Sequence, residues 1–118
     1  MRSAGIAIGW LCVMSLSSVV AADERSPFDL SDPQRVDAGK QRFNSSCVGY
    51  CHGSEGMGGR AHSFKGRGDD FDVEYAYRII KNGRKGSGAV MPRWGETFSQ
   101  EQIWELVAYL KFLSTQKE

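Results

Sequence analysis

The sequence offers little for catalysis by side chains alone. It has no Ser/His/Asp array, no phosphate-binding glycine loop and no paired carboxylates beside its cysteines, so it makes no independent case for an enzyme. No stretch alternates as a strand and no repeat appears, which points to an all-α domain. The composition is that of an ordinary globular chain, and nothing in it marks disorder, collagen or an integral membrane protein. Charge of either sign is not in excess. Fifteen basic residues less Arg2 stand against fourteen acidic ones, too even a balance to argue for nucleic acid.

Cysteine is scarce, with three copies in 118 residues. Cys12 lies in a segment that reads as a secretory signal. Arg2 supplies a positive start, an apolar stretch runs from Ile6 to Val20, and Ala22 offers a small residue before a cleavage point. The stretch is short for a membrane span. The expected organisation is a signal peptide over 1–22, an N-terminal extension over 23–32 and a single domain over 33–118. The domain would act after export, in the periplasm, with the signal removed. A domain this small buries about 60–65% of its unfolded surface and usually needs a staple or a cofactor. Only Cys47 and Cys51 are left to provide one.

Three helices are expected. Asp32-Pro33 is a cap followed by proline at the first helical position, after which Val36, Gly39 and Phe43 share a face. A second helix spans about Phe71 to Asn82, with Asp69 or Asp70 as its cap and Gly83 as its stop. Phe71, Tyr75 and Ile79 form one apolar stripe on it, and Val73, Ala76, Tyr77 and Ile80 form another. The third begins at Ser99, with Gln102 completing a capping box, and carries Ile103, Leu106, Val107, Leu110 and Leu113, widened by Trp104, Tyr109 and Phe112. Between the helices lie two glycine-rich loops, 53–68 and 83–98. Loops of that length are usually functional, and three helices with two of them are under-packed unless something fills the space.

Cys47-Val48-Gly49-Tyr50-Cys51-His52 is the segment with chemistry. A cysteine pair ending in Cys-His is the signal for c-type haem attachment: two thiols add to two vinyl groups, and the adjacent imidazole lies under the iron. The usual pattern has two residues between the cysteines and this one has three. On a helix that places Cys47 and Cys51 on one face. Two other uses of these residues are a plain disulfide and a zinc site of Cys47, Cys51, His52 and His62.

Met91-Pro92 lies in the second loop, just before the last helix. With Gly39 and Phe43, the Cys…Cys-His-Gly motif, the helix from Tyr75 to Asn82-Gly83 and Trp104-Glu105-Leu106-Val107-Ala108-Tyr109-Leu110, it completes an ordered set of elements over about residues 33–114. In these the chain resembles class I c-type cytochromes. The resemblance implies a cytochrome c-like fold of three main helices wrapped around one haem c, attached through Cys47 and Cys51, with terminal helices crossing near Gly39. It implies His52 and Met91 as the axial iron ligands and no catalytic residues, with Met57 and His62 as rival ligands to Met91. A thioether opposite imidazole raises the reduction potential.

It further implies a monomer that passes single electrons between redox proteins, from a dehydrogenase or membrane complex to an oxidase or another carrier. A haem subunit of a larger dehydrogenase and a haem-based sensor or peroxidase, in which Met91 leaves the iron, are the alternatives. The proline whose carbonyl usually orients the histidine has no counterpart between His52 and Met91. Residues 60–93 hold Arg60, Lys65, Arg67, Arg78, Lys81, Arg84, Lys85 and Arg93 against Asp69, Asp70, Asp72 and Glu74, a basic excess suited to an acidic partner. The thioether reading predicts that colour stays with the protein through acid–acetone extraction; colour lost to the solvent would show haem held without covalent bonds.

Overall fold

A computed structural model describes residues 24–117 apart from 60, 87 and 88. Residues 1–22, where a signal peptide is expected, with Arg2 and Cys12, therefore lie outside the described residues, as do Arg60 and Gly88. Helix α1 spans Pro33–Ser46, α2 spans Val73–Asn82 and α3 spans Gln100–Ser114. Each starts where a side chain can satisfy an otherwise orphaned backbone N–H. Asp32 Oδ1 accepts from Gln34 N at 2.9 Å, with Pro33 in the first turn. Ser99 Oγ accepts from Gln102 N at 3.2 Å while the Gln102 side chain accepts from Ser99 N at 3.0 Å, so both halves of the capping box form.

The second helix starts later than the sequence suggests. Its cap is Asp72, whose carboxylate accepts from Tyr75 N at 2.8 Å, and Asp69 and Asp70 lie in a separate short turn over 68–70. Any of three aspartates could have capped it, and local sequence does not choose among them. Of the two candidate stripes, the core takes the one with Tyr77 and Ile80, while Tyr75 is left 45% exposed.

Helix α3 is the centre of the domain. Ile103 to Leu110 are buried without a break, as is Leu113, so α3 is covered on every side rather than along one stripe. Phe112, expected among the packing residues, is 47% exposed. Helix α1 crosses α3 at Gly39, where a Cβ would stand 1.9 Å from the Glu105 carbonyl oxygen and 3.0 Å from Tyr109 Cβ. Backbone meets backbone there, and Phe43, one turn on, packs against Tyr109 with ring centroids 5.3 Å apart.

Glu105 is an acid inside this apolar helix. Its side chain accepts from Arg35 at 2.9 Å and from Arg42 at 2.7 Å, both on α1; Arg35 also pairs with Glu101. The extension joins the same surface. Phe28 lies under the Arg35 guanidinium, 4.4 Å from ring centroid to Cζ, and Phe28 and Leu30 pack on the core.

The second loop holds a feature the sequence does not announce. Strands β1 (Arg84–Gly86) and β2 (Ala89–Met91) pair antiparallel, with Arg84 opposite Met91. Three residues a side, without alternation, are too few for a period to emerge. The hairpin leaves the fold class unchanged: the domain is all-α, with three main helices.

Gly39→Ala is expected to destabilise the protein by at least about 1–3 kcal/mol, because neither backbone can retreat from the added methyl. The check is a thermal melt, where a loss of that size lowers the midpoint by several degrees.

Candidate functional site

The site grows from the end of α1. Cys47 N still donates to Phe43 O at 2.8 Å, as in the helix before it. The chain then makes a wider turn over Val48–His52, closed by Gly53 N donating to Val48 O, five residues back, at 3.0 Å. Gly49, at φ −14° and ψ −119°, departs from helical geometry inside this turn. The sequence reading of Cys47 and Cys51 as neighbours on a continuous α-helical face is therefore corrected. A wide turn absorbs the extra residue of the three-residue spacing.

Cys47 and Cys51 are both half-buried and both free thiols, so the disulfide alternative does not form. Burial pushes the Cys47 thiol up to about 11, with Cys51 beside it adding to the effect. His52 is half-buried, and burial lowers its pKa from the ordinary 6.5, favouring neutral imidazole, the form that can donate a lone pair. Its Nδ1 is buried and has no hydrogen-bond partner among the described residues. The expected absence of a proline carbonyl is thus not made good by another acceptor.

Backbone hydrogen bonds fold the glycine-rich segment tightly against this turn. Gly58 N donates to His52 O at 2.7 Å, and Ala61 N donates to Cys51 O at 2.8 Å. Phe64, the lone aromatic residue of that polar segment, lies against His52 with ring centroids 5.1 Å apart. Sequence reasoning passed it over, although the one phenylalanine among glycines and charges was a signal of inward packing.

Met91 closes strand β2, half-buried, and packs on the same core as Cys47, Val48, Phe64 and Phe71. Gly83 fixes its position. With φ at +72°, Gly83 ends α2, and a Cβ there would stand 2.6 Å from the Met91 carbonyl oxygen. The hairpin thereby folds back onto the end of α2. The rivals fare differently, since Met57 is 58% exposed and His62 is exposed. Among the described residues no group of three or more His, Cys, Asp or Glu side chains gathers to hold a metal ion, which removes the zinc alternative.

The tryptophans beside the site mainly stack on other aromatic rings. Trp94 stacks on Phe98 at 5.2 Å, and Trp104 stacks on Tyr77 at 4.5 Å. Trp104 Nε1 is nevertheless buried without a partner among the described residues. Three of the basic residues expected to meet a partner are engaged within the protein: Lys65 by Glu55 at 3.2 Å, Lys81 by Glu24 at 2.7 Å and Arg84 by the Tyr75 hydroxyl at 3.1 Å. Arg67, Arg78, Arg84, Lys85 and Arg93 are exposed.

This donor set fits haem and fits a bare metal ion poorly. Two free thiols and a neutral imidazole lie within one turn, two buried ring nitrogens lack partners, and the wall is aromatic and aliphatic. Fold and site together define a class I c-type cytochrome. Residues 34–110 match the family described as cytochrome c oxidase, cbb3-type, subunit III, and the chain belongs to that family. Covalently attached haem c is the cofactor this membership implies.

Two solved structures are similar. Cytochrome cL of the marine methylotrophic bacterium Methylophaga aminisulfidivorans is 20% identical, with a TM-score of 0.58 over 72% of this chain and 57% of its own. The c-type cytochrome XoxG of Methylobacterium extorquens AM1 is 25% identical, with a TM-score of 0.56 over 71% of this chain and 58% of its own. The chain thus spans less than two thirds of either relative.

The lowered His52 pKa sets a pH dependence with a definite sign. The unfolded chain takes up a proton near 6.5 and the folded one only at lower pH. Unfolding therefore binds protons across that window, so stability is full above pH 6.5, falls as pH drops through the window and levels off below it. Denaturant titrations of the haem-free chain between about pH 8 and 5 should show the midpoint falling as pH passes down through this window.

Proposed function

We propose that this chain is an electron carrier rather than an enzyme, exported to the periplasm and taking single electrons from one redox protein to another. The observation that carries this reading is the wide turn 47–52, with two free thiols and a half-buried imidazole, against a core that also receives Met91. When bound, haem supplies a one-electron iron couple, and the protein's task is to hold it and tune it.

Cys47 and Cys51 hold it covalently. Their place on a short turn tied back by Gly53, Gly58 and Ala61 keeps the two sulfurs in a fixed relation. His52 would bind the haem iron through a ring nitrogen from the same turn, and Met91 would bind it through its thioether sulfur. An iron held by both side chains would offer no open place to substrate. The soft sulfur of Met91 favours the reduced state, and the apolar walls around it act in the same direction by disfavouring the extra charge of the oxidised state. Export rests on the signal-like segment 1–22. The exposed arginines and Lys85 suit an acidic docking surface on a dehydrogenase or an oxidase.

One observation favours a second reading. The family's own description names a subunit of an oxidase, and a chain of this family can serve inside a larger redox complex rather than free in solution. Gel filtration of native extract separates the two readings by size. Absorption in the near infrared tests the ligand set: the protein should show a methionine–iron charge-transfer band that Met91→Ala removes, together with a lower reduction potential. An unchanged band in that variant would take Met91 off the iron. Rapid carbon monoxide uptake by the ferrous protein at neutral pH would favour the sensor reading instead.

A further inference from the structure

An iron-binding histidine is ordinarily oriented by a hydrogen bond from its second ring nitrogen to a carboxylate or carbonyl, which also makes the imidazole a stronger base. His52 is held differently. Its buried Nδ1 has no acceptor among the described residues, yet its ring is confined on two sides by other rings. Phe64 stacks on it with centroids 5.1 Å apart and planes 26° from parallel, and Phe43 meets it at 6.0 Å and 48°.

Phe64 is itself locked. Phe43 and Phe71 both meet its edge at 6.3 Å, and Phe64 N donates to Gly56 O at 2.9 Å. Gly56 is buried at φ +64°, and a Cβ there would stand 2.8 Å from Phe64 Cδ2 and 2.9 Å from Leu113 Cδ1. The backbone at Gly56 therefore passes directly against the Phe64 ring and leaves it no room to slide. Lys65, next in the chain, is tied to Glu55 at 3.2 Å, which holds the two sides of this loop together.

We propose that Phe64 is the positioning residue for His52: it sets the plane of the axial imidazole by face-to-face stacking, where a hydrogen bond would ordinarily set it, and it keeps water from Nδ1. The inference rests on the reading of His52 as an iron ligand. Two consequences follow from the chemistry. The imidazole plane turns if the flat partner is replaced by a side chain without a face. Water that reaches Nδ1 strengthens the imidazole as a base, which stabilises ferric iron and lowers the potential.

The test uses the full haem-loaded protein and the variants Phe64→Leu, Phe64→Met and Phe64→Tyr. In the ferric state, g-values and haem-methyl paramagnetic shifts report the imidazole plane; potentiometry reports its basicity. The non-aromatic variants should shift the methyl pattern and lower the potential, and Phe64→Tyr, which keeps the ring face, should restore both. An unchanged pattern and potential in Phe64→Leu and Phe64→Met, even with a lower melting temperature, would make Phe64 a packing residue only.

Nitrogen-15 spectra of the unaltered protein give a reading that needs no variant. A His52 Nδ1–H coupled to a backbone carbonyl would overturn the proposal, and an uncoupled, slowly exchanging proton supports it. His52→Ala separates iron binding by His52 from its positioning by Phe64. If the low-spin signal survives without His52, the ligand assignment itself fails; if it needs His52 but ignores Phe64, only the positioning role falls.

Discussion

Helices α1 and α3 touch backbone to backbone at Gly39, and the geometry of the domain follows from that contact. The absence of a side chain lets the Glu105 carbonyl approach to where a Cβ would be 1.9 Å away. Such an approach fixes both the separation and the crossing of the helices. Phe43 is then carried onto Tyr109, and Arg35 and Arg42 reach a glutamate that would otherwise be a charge stranded in an apolar helix. Because α1 is anchored there, its end is anchored as well, and the end of α1 is Cys47. The cysteine turn is thus an outgrowth of the helix contact at Gly39.

The three-residue spacing of the cysteines has a local solution. A regular helix would carry the extra residue as one hundred degrees of rotation, whereas the turn over 48–52 widens and lets Gly49 leave helical geometry. The same economy appears at the other end of the site, where Gly83 both stops α2 and admits the Met91 carbonyl. Two segments far apart in sequence are brought to one core by glycines that permit close backbone approach, with aromatic rings filling the space between.

Membership of the cbb3-type subunit III family and the cytochrome-like fold agree with what the motif and the order of elements suggested. Much of the fold was legible because its signals are local. Asp32-Pro33 and Ser99 with Gln102 cap helices through atoms two or three residues away, and Cys-His needs only adjacency to be noticed. The choice among Asp69, Asp70 and Asp72 as cap was not legible, since all three satisfy the same local rule and only the packing of Tyr77 and Ile80 decides which turn comes first. The exposure of Tyr75 and Phe112 was hidden for the same reason: periodicity says that a helix has an apolar side without saying how wide a neighbour covers it.

By itself, then, the sequence determined the three helices, the glycine contact at 39, the thiol–imidazole motif and the candidate sulfur of Met91, because each depends on residue type and short spacing. Only the tertiary structure decided that the cysteine turn is wide, that a hairpin carries Met91, that Glu105 is paired across α1 and α3, and that Phe64 stacks on the His52 ring, whose Nδ1 has no partner among the described residues. Those outcomes depend on which surfaces meet across tens of residues. Close packing excludes most arrangements of such surfaces, and no pattern along the chain records which one survives.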